Sequence, residues 1–279
     1  MRLTTLRTDG TAAGTAAGRV EGDEVVQLPY DDLGALLAYP DWAELATAGE
    51  GPRTALAGAA LAPLVPHPPK IVCVGLNYRS HILEMGRELP AHPTLFAKYA
   101  NALLGPADDL LIPAASDKVD WEVELGVVIG APGRRLSAGE AESLIAGYTV
   151  VNDISMRDWQ WRTTEWLQGK TFEASTPVGP VLVTADEVGD PGALDLSLTV
   201  DGAVMQSSNT ADLLFSAAEI VAYISQFTSL QPGDLIATGT PGGVGVGRDP
   251  QVFLRPGQVV RATVEGIGFL ENTCVEDRR

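Results

Sequence analysis

The sequence predicts an α+β fold that is predominantly β, with a small N-terminal α/β domain (residues 1–65) followed by a larger catalytic domain (residues 70–279). Three observations carry this. Between Ile71 and Val264, seven short apolar runs rich in Val, Ile and Leu are bounded by Gly and Pro, as strands are. In the same stretch helical periodicity is confined to two segments. Pro63, Pro66, Pro68 and Pro69 punctuate the chain between the two parts, where proline favours an extended connector.

The elements follow in order. Arg2–Leu6 and Val20–Leu28 read as strands separated by a Gly/Ala turn region. Asp31–Ala38 and Asp41–Ala48 read as short helices with Asp31 and Asp41 as N-caps. After the prolines the strand runs are Ile71–Val74, Glu122–Ile129, Gly147–Val151, Gly179–Val183, Leu196–Val200, Asp234–Thr238 and Val259–Val264. Pro232-Gly233-Asp234 and Pro256-Gly257-Gln258 mark turns that lead into strands. The two helical segments are Ser137–Ile145, with Ser137 as cap, and Leu213–Phe227.

Composition excludes several classes. At 279 residues, 45% hydrophobic and 20% charged, the chain can bury a large core. A net charge of −17 opposes a nucleic acid partner, because phosphate binding needs clustered Lys and Arg. A small anionic substrate would likewise need local positive charge in its site. Apolar runs fall short of the roughly 18 residues of a membrane span, and the N-terminus lacks the apolar core of a signal peptide, so no membrane association and a cytoplasmic location are expected. Cys73 and Cys274 lie in apolar, strand-like contexts and are expected to be reduced and buried.

Chemistry concentrates in a run of carboxylates. On a strand, Asp120, Glu122 and Glu124 share one face while Trp121, Val123 and Leu125 take the other, and Asp153 ends a further apolar run. Like charges so crowded repel, which calls for a cation among them. His67, His81 and His92 show no zinc spacing, so an all-oxygen site for Mg²⁺ or Mn²⁺ is expected of Glu122, Glu124 and Asp153. The same pattern also suits an edge strand charged against aggregation. Arg157 could fork onto a carboxylate and Gln160 bond a carbonyl, or both could be ordinary surface helix residues. Gly169-Lys170-Thr171 lacks the first glycine of a phosphate loop, Thr164 standing in its place. Nucleotide binding is thereby rejected, which leaves Lys170 either solvated or set to neutralise an anionic intermediate. His81 and Glu84, three apart on a short helix, could pair so that the carboxylate orients the imidazole. Gly239–Gly247 offers a tight turn or a nest of N–H groups near an anion.

Taken together, Gly75-x-Asn77-Tyr78-x-x-His81-x-x-Glu84, Glu122-x-Glu124-Leu-Gly, Asn152-Asp153-x-Ser-x-Arg157-Asp-x-Gln160, Gly169-Lys170-Thr-Phe, Pro177-x-Gly-Pro180 and Thr238-Gly-Thr240-Pro-x-Gly-Val resemble the fumarylacetoacetate hydrolase family over about residues 70 to 275. The likeness is greatest to its acylpyruvate hydrolase and oxaloacetate decarboxylase branch. The resemblance implies a mixed β-roll catalytic domain, a homodimer, and Mg²⁺ or Mn²⁺ on Glu122, Glu124 and Asp153. It also implies a lid dyad at His81 and Glu84, a catalytic Lys170, and substrate contacts at Arg157, Gln160 and Thr240. Leu76 and Tyr99 depart from the family pattern, which often has a basic residue and a proline there. The function expected on this basis is hydrolysis of a C–C bond in 2,4-dioxo acids of the acylpyruvate or fumarylpyruvate type, giving pyruvate and a carboxylic acid. Oxaloacetate decarboxylation, isomerisation or decarboxylation of 2-hydroxyhepta-2,4-diene-1,7-dioate in aromatic catabolism, and a non-catalytic binding module stand as alternatives.

Overall fold

The computed structural model describes residues 1–8, 14–84, 86 and 88–277, the side chain of Glu84 excepted. The N-terminal segment contains β1 (Arg2–Arg7), β2 (Thr15–Glu21), β3 (Glu24–Gln27), α1 (Leu33–Leu37), α2 (Trp42–Ala48) and β4 (Arg53–Ala55). There follow β5 (Ile71–Gly75), α3 (Arg79–Glu84), β6 (Thr94–Lys98), β7 (Leu103–Leu104), β8 (Leu110–Ile112), β9 (Val119–Asp120), β10 (Val123–Ile129), α4 (Ala138–Glu142), β11 (Ile145–Asn152), β12 (Ser155–Met156), α5 (Arg157–Gln160) and α6 (Leu167–Lys170). The chain closes with β13 (Thr176–Thr184), β14 (Asp195–Val200), β15 (Ala203–Asn209), α7 (Ala217–Phe227), β16 (Leu235–Ala237), β17 (Val259–Val264) and β18 (Gly268–Glu276).

An eleven-stranded mixed sheet runs β4-β3-β2-β1-β13-β11-β10-β16-β5-β6, with β7 beside β13, and a five-stranded sheet runs β15-β14-β17-β18-β8. Strand β10 is buried along its whole length, which accounts for its nearly unbroken apolar sequence. Its Val123, Leu125, Val127 and Ile129 join the core formed with Leu198 of β14, Ala262 of β17 and Ile220 and Ile224 of α7. Val128, on the other face, belongs to a second core with Leu33, Leu36 and Leu37 of α1, Cys73 and Leu182. The predominantly β, α+β expectation holds. The N-terminal strands continue the main sheet, β1 pairing with β13 at Arg2↔Val183 and Leu3↔Leu182. No described helix is long and apolar enough to cross a membrane.

Among the boundaries that differ from the sequence expectation, three have a clear local reason. The run Val20–Leu28 is two strands, because Gly22 (φ +58°) and Asp23 form a two-residue turn between Glu21 and its partner Glu24. Asp32, not Asp31, caps α1, accepting the Ala35 N–H at 2.8 Å. Helix α7 starts at Ala217 instead of Leu213, since Ser216 and Glu219 form a reciprocal capping box there, a pattern legible as Ser-x-x-Glu. Both cysteines are free and buried, as expected.

Candidate active site

The site is built where β10 starts and β11 ends. Val123 pairs with Asn152, so the residues flanking those two positions are brought together. The Glu122 N–H donates to Asn152 Oδ1 (3.1 Å) and the Asp153 N–H to the Glu122 carbonyl (2.9 Å). Glu122, Glu124 and Asp153 thereby offer carboxylate oxygens within 4.8 Å of one another, and all three residues are buried. This burial rules out the charged edge strand. One expectation is corrected: Asp120 does not join Glu122 and Glu124 in the converging group. Regular strand geometry breaks at Trp121 and Glu122, and the Asp120 carboxylate instead accepts from Arg157 Nε (2.8 Å) and from the N–H groups of Gly245 (2.6 Å) and Val246 (3.0 Å). The anion in the glycine-rich nest is thus the chain's own Asp120.

Three cations meet these carboxylates. Lys170 Nζ lies 2.7 Å from both Glu122 Oε2 and Asp153 Oδ2, and Arg157 Nη2 lies 2.6 Å from Glu122 Oε1. Lys98, which sequence reasoning passed over, is buried at the end of β6 with Nζ 2.5 Å from Asp153 Oδ1. Burial by itself would raise the Asp153 pKa, but Lys170 and Lys98 outweigh it and hold the carboxyl at about 2. Burial opposes the Lys170 charge, yet Asp153 and Glu122 push its pKa up to about 12. Among the described residues Glu124 alone of the three converging carboxylates has no basic side chain on it. It accepts the Gly239 N–H at 2.7 Å, and burial, then Asp153 and Glu122, raise its pKa well above the usual carboxylate value. A divalent cation fits such a place: the donors are all oxygen, they converge, and a cation beside Glu124 would favour its ionised form.

Of these groups Glu122, Glu124, Arg157 and Lys170 line a cavity of about 450 Å³. Gln160 lines it with its amide oxygen turned to Arg157 Nη1 (2.9 Å), which leaves its NH₂ to donate to a bound acceptor. The Thr240 hydroxyl donates to the Val123 carbonyl (2.9 Å) and accepts from Gln206 Nε2 (2.8 Å). Its proton is committed, so it offers a substrate an acceptor. Gln206, from the second sheet, was not foreseen; its Oε1 also accepts the Val123 N–H at 3.0 Å. Gly169 explains the residue before Lys170. A Cβ there would lie 2.5 Å from the Gln160 nitrogen, so α5 and α6 pack closely only over glycine. Gly169→Ala is expected to destabilise the chain by about 1–3 kcal/mol and to lower activity by displacing Gln160 and Lys170, read by thermal melting and kcat.

The apolar part of the lining includes Leu76, Phe96, Trp161, Trp166, Val244 and Val246. Helix α3 sits at this cavity. Asn77 ties its approach down through Thr238 O (2.7 Å) and the Phe215 N–H (2.8 Å), and Asp212 accepts the Ser80 N–H at 3.1 Å. His81 of α3 lines the cavity, whereas the side chain of Glu84 lies outside the described residues. Leu76 borders the cavity; Tyr99 does not line it and is 54% exposed.

Residues 70–275 match the family model described as fumarylacetoacetate (FAA) hydrolase C-terminal. The chain belongs to this family. It is 48% identical over 217 residues to the mitochondrial oxaloacetate tautomerase FAHD2A of Bos taurus, covering 77% of this chain and 69% of that protein. Among solved structures it resembles 2-hydroxyhepta-2,4-diene-1,7-dioate isomerase from Mycobacterium marinum (TM-score 0.81, 34% identity, 100% of both chains). It also resembles maleylpyruvate hydrolase from Sphingobium sp. SYK-6 (TM-score 0.81, 29% identity, 99% of this chain and 100% of that one). The chain is therefore an enzyme of the fumarylacetoacetate hydrolase family with that family's fold, which sets aside the non-catalytic alternative.

Proposed function

We propose that this fumarylacetoacetate hydrolase family enzyme takes a small 2-oxo acid through its enol form with the help of Mg²⁺ or Mn²⁺ on Glu122, Glu124 and Asp153. The observation that carries the reading is the convergence of three buried carboxylates, of which Glu124 has no ion pair among the described residues. A dication held there supplies Lewis-acid polarisation of the C2 carbonyl and charge opposite the substrate carboxylate. Lys170 has two of its three N–H groups on Glu122 and Asp153, leaving one for the developing enolate oxygen. Gln160 donates to a substrate oxygen, Arg157 holds Gln160 and Glu122 in place, and Thr240 accepts. His81, oriented by Glu84, moves protons.

The likeness to oxaloacetate tautomerases favours keto–enol interconversion of oxaloacetate: His81 removes a C3 proton and one is delivered to the C2 oxygen, with no C–C bond broken. Cleavage of a 2,4-dioxo acid of the acylpyruvate or fumarylpyruvate type is the second reading, favoured by the likeness to a maleylpyruvate hydrolase. There His81 takes a proton from water as it adds to C4, the C3–C4 bond breaks, and the pyruvate enolate is protonated at C3. Oxaloacetate decarboxylation would break C3–C4 from the keto form, release CO₂ and leave the same pyruvate enolate, whereas dienoate isomerisation would move a proton along a dienolate whose C2 oxygen is held in the same way. The purified enzyme with Mn²⁺ should be assayed for loss of enol-oxaloacetate absorbance and for pyruvate release from oxaloacetate, acetylpyruvate and fumarylpyruvate. Faster tautomerisation than pyruvate release supports the first reading and the reverse supports the second. Turnover of none of them refutes both.

A cytoplasmic homodimer completes the proposal, with part of the segment from Trp159 to Trp166 near the catalytic site, where Trp161 and Trp166 line the cavity, or near the subunit contact, Trp161 being 55% exposed. Light scattering should give twice the 29.3 kDa chain mass at micromolar concentration, and a monomer mass would contradict it.

A further inference from the structure

Asp120 is fully buried and lies outside the group of three converging carboxylates, yet each of its oxygens takes two hydrogen bonds. Oδ1 accepts the N–H groups of Trp121 (2.9 Å) and Gly245 (2.6 Å), and Oδ2 accepts Val246 N–H (3.0 Å) and Arg157 Nε–H (2.8 Å). The same guanidinium reaches Glu122 Oε1 at 2.6 Å, while Lys170 takes Glu122 Oε2 at 2.7 Å. Both oxygens of Glu122 are therefore held by cations, and a metal ion must compete with them. A charge shared between two carboxylates binds each less tightly than it would bind one.

We infer that Asp120 is a positioning residue that sets the metal affinity of Glu122 through Arg157, by drawing the guanidinium partly onto itself. It rests on the reading of Glu122 as a metal ligand. Through Gly245 and Val246 the same carboxylate fixes the cavity wall, so a purely structural role must be told apart from this one. In that case the loss on substitution would not depend on Arg157.

The test is a double-mutant cycle on the full chain, with Mn²⁺ alone as probe and binding followed by the loss of the free-ion electron paramagnetic resonance signal. Asp120→Asn is expected to weaken Mn²⁺ binding about tenfold or more, the size typical of residues behind a metal ligand. In an Arg157→Gln background the same substitution should change affinity less than about twofold, because the intermediary is gone. Unchanged affinity in Asp120→Asn, or the same loss in both backgrounds, overturns the inference. A wild-type chain that does not bind Mn²⁺ refutes the metal reading, and the inference with it. Should Asp120→Asn fail to fold, the smaller, neutral Asp120→Ser is held to the same criteria.

Discussion

Glu124→Gln is expected to reduce turnover about 10³-fold or more while making the metal-free protein more stable at neutral pH. The two effects have one origin. Glu124 is buried against Asp153 and Glu122, so its pKa in the folded chain lies well above the unfolded value of 4.5. A group whose pKa is raised by folding adds stability while protonated and loses that contribution as pH climbs from the unfolded value through the folded one. The metal-free wild type should thus lose up to about 1.4 kcal/mol per pH unit across that interval. Glutamine keeps the shape and an acceptor for the Gly239 N–H but cannot ionise, so the loss should vanish. Added Mn²⁺ should stabilise the wild type increasingly as pH rises and leave the variant unmoved. Melting curves between pH 5 and 8, with EDTA and with Mn²⁺, read both effects. Full activity of the EDTA-treated wild type would contradict the metal assignment.

Lys170→Ala should slow every reaction of a 2-oxo acid by about 10²–10³, because each passes through a negative oxygen that the ammonium neutralises. It should also destabilise the fold by about 3–5 kcal/mol, since Glu122 and Asp153 lose a buried partner. Asp153 is held at about 2 in part by Lys170, so its contribution is present above the ordinary aspartate value of 3.8 and lost as pH falls toward 2; that acid dependence should shrink in the variant. His81→Ala should behave differently. Removing a base costs about 10²–10⁴ where water must be activated or a C3 proton removed, but little in decarboxylation, which needs neither. Glu84→Gln should follow His81→Ala more mildly. The comparison to make is kcat/KM for acylpyruvate cleavage, tautomerisation and oxaloacetate decarboxylation across these variants. Equal losses for all three in His81→Ala would mean that His81 binds substrate or closes the cavity instead of moving protons.

Much of the site is legible from local spacing. Glu122 and Glu124 stand two apart on either side of Val123, where β10 starts, and the expected convergence of their carboxylates is seen. Asp153 ends an apolar run, and Gly169-Lys170 marks a close approach that the structure explains by Gln160. The capping boxes at Ser137 and Ser216 were equally readable, but only Ser137 stands as an expected cap, and its helix ends at Glu142 instead of Ile145, which already belongs to β11. Asp120, two residues before Glu122, does not join the group, because the chain leaves regular strand geometry at Trp121 and Glu122.

What the sequence determined by itself was the strand-rich class, the family, and the placing of Glu122 and Glu124 on one side of the chain, since periodicity, turn residues and motif spacing are properties of neighbours along the chain; β10–β11 pairing brought Asp153 to them. The tertiary structure decided the rest of the charge network. Lys98 reaches Asp153 across 55 positions, and Gln206 reaches Val123 across 83. It also placed Leu76, but not Tyr99, at the cavity and carried β1 onto the edge of β13. Such contacts depend on which strands pair and which sheets face each other, and those choices are made by the burial of whole apolar faces rather than by any local run of residues.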